Sequence, residues 1–65
     1  MTTDDVRARI EDIKAHAGDD EAQHSMEDEL LRDVLEAIAA HAAEPAALAE
    51  TVLATRELNF ERWCA

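Results

Sequence analysis

The residues with the clearest chemical potential lie near the middle of the chain. Glu21 and His24 have Glu-x-x-His spacing, which places a carboxylate and an imidazole on one face of a helix, as in di-iron bundles. A complete site of that kind needs two such pairs and two further Glu residues. This chain has one pair, with Glu11 as a third candidate, so metal binding would require a dimer that doubles the half-set. The ordinary reading is a solvated N-terminal turn in a stretch rich in Asp and Glu. His16, His24 and His41 are dispersed. Ser25 follows His24, but neighbours on a helix point apart, so the two do not form a nucleophile–base pair. Asp19-Asp20-Glu21 lacks the alternating oxygen ligands and internal glycine of a calcium loop. Cys64 is the single cysteine, and its acidic surroundings would raise rather than lower the pKa of a thiol. Nothing here composes a catalytic site or calls for a cofactor, and a non-enzymatic protein is expected.

Charge is the stronger signal. The net charge is −10. Between Ala15 and Thr55 there are ten acidic residues and one base, Arg32. Such a field repels nucleic acid, whose binders neutralise phosphates with Lys and Arg, and suits a basic protein surface. Glu29, Asp33 and Glu36, with Asp28 beside them, form an acidic row at helical spacing. Its carboxylates step along the axis by about 4–6 Å, near the interval between successive phosphates on one strand. The functional reading is a helix that occupies a phosphate-binding groove of a nucleic-acid-binding protein, without touching nucleic acid itself. The ordinary reading is a solvated face that aids solubility. Phe60-Glu61-Arg62-Trp63 is the one aromatic cluster. Its rings are either contact residues or the closure of one end of the core.

Positioning these groups falls to helices. Val6, Ile10, Ile13 and Ala17 recur at three- and four-residue steps and predict a first helix over about 3–17, with Thr2 or Thr3 as cap. Gly18 predicts a tight left-handed turn. A second helix is expected over about 20–42, starting at Asp19 or Asp20, or later at a Ser25–Asp28 capping box. Its stripe is Met26, Leu30, Leu31, Val34, Leu35 and Ile38, with Leu31 and Leu35 in the core. Pro45 predicts the start of a third helix over about 45–62, with Leu48, Val52 and Leu53 facing the core and a bend or break between Thr55 and Asn59. The fold class is therefore all-α: one domain, 1–65, built as a small three-helix bundle. The alternative is a helical hairpin that completes its core as a homodimer. The core is too small for a deep cavity, so any site is expected on the surface or between chains. The lone cysteine, the absence of a long apolar run and an N-terminus unlike a signal peptide predict a cytoplasmic protein without a membrane span.

From Asp19-Asp20 through His24-Ser25, Glu27-Asp28, Leu30, Val34-Leu35 and Ile38-Ala39 to Phe60-Glu61-Arg62-Trp63-Cys64-Ala65, the chain resembles small acidic proteins encoded by phages and prophages of high-GC bacteria. The resemblance excludes the first helix and transfers no catalytic residue. It implies a phage-linked accessory protein, in a group where some members inhibit host nucleic-acid enzymes, CRISPR complexes among them.

Overall fold

Thr2 starts the structure. Its hydroxyl accepts from the Asp5 backbone N–H at 3.2 Å, and its own N–H donates to the Asp5 carboxylate at 2.8 Å. This reciprocal capping box satisfies two donors that a helix start leaves without partners. Helix α1 then runs Thr3–Ala15. In the computed structural model, which describes residues 1–62, the expected row Val6, Ile10 and Ile13 is buried and Ala17 is not. Ala17 falls beyond the helix, in the turn that Gly18 closes at φ +97°.

Helix α2 spans Asp20–Ala39 and takes the early start: the Ala22 N–H donates to the Asp19 carboxylate at 3.1 Å. The Ser25–Asp28 box is therefore not used as a cap, and His24 sits on the helix. The helix ends three residues before the expected Ala42. His41 N–H donates to Ile38 C=O, and Ala42 N–H reaches back to Ala37 C=O, both at 3.0 Å. This closure satisfies the last carbonyls and needs a left-handed residue after the cap. Here that residue is His41 at φ 64° rather than glycine.

Pro45 opens helix α3 as expected, but α3 is short, Pro45–Val52. The chain tightens into a 3₁₀ segment, Leu53–Glu57, and becomes extended at Leu58. Two threonines mark the change. The Thr51 hydroxyl bonds the Ala47 carbonyl at 2.7 Å and the Thr55 hydroxyl bonds the Val52 carbonyl at 3.0 Å, local bonds that compete with continued helix. A third helix over 45–62 is thus corrected to a helix, a 3₁₀ turn and an extended end.

The three helices pack mutually around Val6, Ile10, Ile13, Leu30, Val34, Leu48, Val52 and Phe60. The result is the expected all-α three-helix bundle, with no strand among the described residues. No helix among them is long and apolar enough to cross a membrane. Two polar side chains join the core. Gln23 is buried and donates through Nε2 to the Ile13 carbonyl at 2.9 Å, fastening the start of α2 to the end of α1. Glu27 is the other, and it changes the meaning of α2.

Candidate interaction surface

Adjacent helical residues lie about 100° apart. Leu30-Leu31 and Val34-Leu35 therefore cannot both direct two leucine-sized groups into one core. The core takes Leu30 and Val34, at 0% and 1% exposure; Leu31 is half-buried and Leu35 is 66% exposed. The expectation that Leu35 is buried is wrong, and Leu31 lies at the edge of the core rather than within it. Leu53, expected to face inward, is 57% exposed because it begins the 3₁₀ segment after α3 has ended. The inward row of α2 is Gln23, Glu27, Leu30 and Val34, rotated away from the Leu31–Leu35 edge. Val52 is buried as expected.

Glu27 is 5% exposed and meets Arg62 in a two-pronged ion pair. Arg62 Nε donates to Oε1 at 2.8 Å and Nη2 to Oε2 at 3.1 Å. Burial alone would push the Glu27 carboxyl up. Hydrogen bonding from Arg62, with the nearby Arg62 and His24 charges, outweighs burial and holds it below the usual carboxylate range. The same hydrogen bond raises the Arg62 guanidinium further. Arg62 also donates to the carbonyls of Thr55 at 2.8 Å and Leu58 at 3.3 Å, and its guanidinium lies 3.9 Å from the Phe60 ring centroid. One arginine thus clamps the extended end across α2. Sequence reasoning missed this pair. Its signal was a carboxylate three and seven residues from Leu30 and Val34, on their side of the helix, where only a cation from elsewhere in the chain could balance it.

The acidic row is not the bare ridge that spacing predicted. Asp33 accepts from Arg9 of α1 at 2.7 Å, with both side chains about one-third exposed (32% and 33%). It lies at the α1–α2 seam, where its charge is already matched. Glu29 and Glu36 remain exposed, as does Asp28, whose carboxylate is 3.5 Å from His24 Nε2. Phe60 is 8% exposed and belongs to the core, so it is not a contact residue. Trp63, the other ring proposed for a contact, lies outside the described residues, as does Cys64.

Within one chain the alternative metal set does not come together. Glu11 pairs with Lys14 at 2.9 Å on α1, Glu21 is exposed, and His24 is turned toward Asp28. Among the described residues no three His, Cys, Asp or Glu side chains converge as metal ligands would.

Four of the six basic residues are engaged: Arg7 with Asp4, Arg9 with Asp33, Lys14 with Glu11 and Arg62 with Glu27. Arg32 and Arg56 have no ion-pair partner among the described residues. The outer half of α2 therefore presents Glu21, Asp28, Glu29 and Glu36 with Arg32 as its one cation, beside the uncovered leucine edge. Such a surface can bind charge and apolar groups. No family model, curated protein or solved structure matches this chain.

Proposed function

We propose that the protein is a non-enzymatic interaction module that engages a basic, nucleic-acid-binding protein surface through the outer half of α2. The observation that supports this most is the placement of charge. Glu21, Asp28, Glu29 and Glu36 stand on the exposed side of the longest helix without a Lys or Arg partner among the described residues. The contact set is Asp28, Glu29 and Glu36, with Asp33 dropped because Arg9 holds it. A partner that normally neutralises phosphates would supply the missing cations. The resemblance to phage and prophage proteins makes an inhibitor or adaptor of a host nucleic-acid enzyme the form this function takes.

The test is affinity capture from a bacterial lysate at low and high salt, followed by charge reversal. Glu29→Lys with Glu36→Lys should abolish capture and leave the fold intact, because both side chains are exposed. The matched control is Glu44→Lys with Glu50→Lys, which makes the same net-charge change away from α2. Reversal at Asp4, Asp5 or Glu11 is unsuitable as a control, since Asp5 caps α1 and the other two hold Arg7 and Lys14. Equal loss from both pairs would reduce the site to a diffuse field, and no loss from either would end the proposal.

A further inference from the structure

The leucine edge of α2 adjoins its acidic side. Leu31 and Leu53 line one recess of about 180 Å³, together with Arg56, Arg62, Glu27 and Thr55. Leu35 stands one turn beyond Leu31 on the same side of α2. Single exposed leucines are ordinary on protein surfaces. Here two strongly exposed leucines adjoin a half-buried third, and the two arginines without an ion-pair partner among the described residues border them: Arg56 in the recess wall, and Arg32 between Leu31 and Leu35 in sequence. Any occupant must bring apolar side chains to the leucines and carboxylates to the arginines.

We infer that the occupant is a second copy of this chain, packed α2 against α2 in antiparallel fashion about a two-fold axis. The chain itself supplies what the face requires. In an isologous contact the same patch meets itself, and this patch carries both signs beside its leucines. An axis between Asp33 and Val34 along α2 sets Leu31 against Leu35 of the second copy and brings Arg32 opposite Glu36 of the second copy. Carboxylates are abundant, sixteen against six basic residues. The 20 residues of α2 provide about 30 Å of helix for the contact. A standard interface takes about 800 Å² per partner, which is under one-fifth of the 4487 Å² the chain exposes. The core is closed within one copy, so the dimer forms between folded monomers rather than by completing a hairpin. Glu29 lies on a different side of α2 from Leu35 and stays accessible, whereas Glu36 is taken into the contact and Asp28 lies two turns from Leu35 on the same side, so dimer formation and capture of a basic partner compete.

Salt separates this arrangement from a heterologous basic partner. Two chains at −10 repel at long range, and salt screens that repulsion, so the dimer tightens as salt rises while an acid–base complex loosens. Sedimentation equilibrium from micromolar to millimolar chain, at low and high salt, provides the measurement. Wild-type protein should show a monomer–dimer equilibrium that is tighter at high salt. Leu35→Glu should weaken it by at least about 100-fold through loss of apolar burial in both copies, and Leu53→Glu should do the same independently. R32E and E36R should each weaken it by about tenfold, given two charge pairs per dimer, and the double swap should restore it. Monomeric wild-type protein at every concentration, association unchanged by both leucine variants, or failure of the double swap to restore it would overturn the inference. So would monomeric wild-type protein whose capture of a basic lysate protein is lost in Leu35→Glu, which would assign the face to that partner instead.

Discussion

Glu27 and Leu35 lie two turns apart on one helix and occupy the positions that composition would exchange. The carboxylate is inside at 5% exposure, and the leucine is outside at 66%. The difference shows what decides burial in a chain this small. A carboxylate is buried when a complete set of partners is ready for it, and Arg62 provides two donors in fixed geometry. A leucine is left out when its neighbour one position earlier already fills the core, as Val34 does. Burial here follows the angular position that packing selects, and hydrophobicity alone does not rank the candidates.

The largest effect that can sharpen the contrast is expected at Leu30, the fully buried neighbour of the leucine edge. Leu30→Ala should cost about 2–5 kcal/mol, the range for a close-packed leucine, which for a domain of this size is most of the total stability. Chemical denaturation would show it as a fall in midpoint. A cost below 1 kcal/mol would mean the inward row has been placed wrongly.

Next in size is the clamp. Glu27→Gln leaves Arg62 facing a neutral group and should cost about 2–3 kcal/mol, below the range for a fully buried pair because Arg62 keeps one-third of its exposure. The acid limb gives a second readout. The folded pKa of Glu27 is depressed, so its contribution is fully present above the unfolded carboxylate value and is lost as pH falls through the folded one. Wild-type stability should therefore decline below about pH 4.5, and Glu27→Gln should flatten that decline. Asp5 titrates in the same direction, lowered by the Thr2 N–H and then the Thr2 hydroxyl; the residual slope in the variant includes it. An unchanged acid limb would show that the pair is not formed in solution.

Smaller still is the effect at Gln23. Its amide holds the Ile13 carbonyl across the α1–α2 turn. Gln23→Ala should cost about 1 kcal/mol, the usual net value of such a bond. Hydrogen exchange at the end of α1 should quicken more than elsewhere, and uniform quickening would deny the bond its local role.

Much of the architecture was legible because it is local. Thr2, Gly18 and Pro45 each act within a few residues, and all three mark the boundaries they predicted. The row Val6, Ile10 and Ile13 has no competing apolar neighbour, so its face was unambiguous. On α2 the doublets Leu30-Leu31 and Val34-Leu35 left two faces open. The choice between them rests on contacts far apart in the chain: Arg9 to Asp33 spans 24 residues and Arg62 to Glu27 spans 35. Periodicity contains no term for such pairs, so it placed Asp33 on a bare ridge and overlooked Glu27. The early end of α3 was hidden for a different reason. The change at Leu53 has no Gly or Pro to mark it, whereas the bend or break expected between Thr55 and Asn59 is found, the backbone turning extended at Leu58. The acidic excess of the middle segment was plain from composition; which of its members remain unmatched was not.

The central claim is that Leu35, on the leucine edge of α2, faces outward and leaves the fold independent of it. Urea unfolding of Leu35→Ser, at concentrations where the chain is monomeric, tests that claim most directly. With Leu35 outside the core, the unfolding free energy should stay within about 0.5 kcal/mol of wild type, as for surface substitutions generally, at unchanged slope. A loss of about 2 kcal/mol or more, the cost of placing a hydroxyl where a buried leucine had been, would put Leu35 in the core and contradict the account.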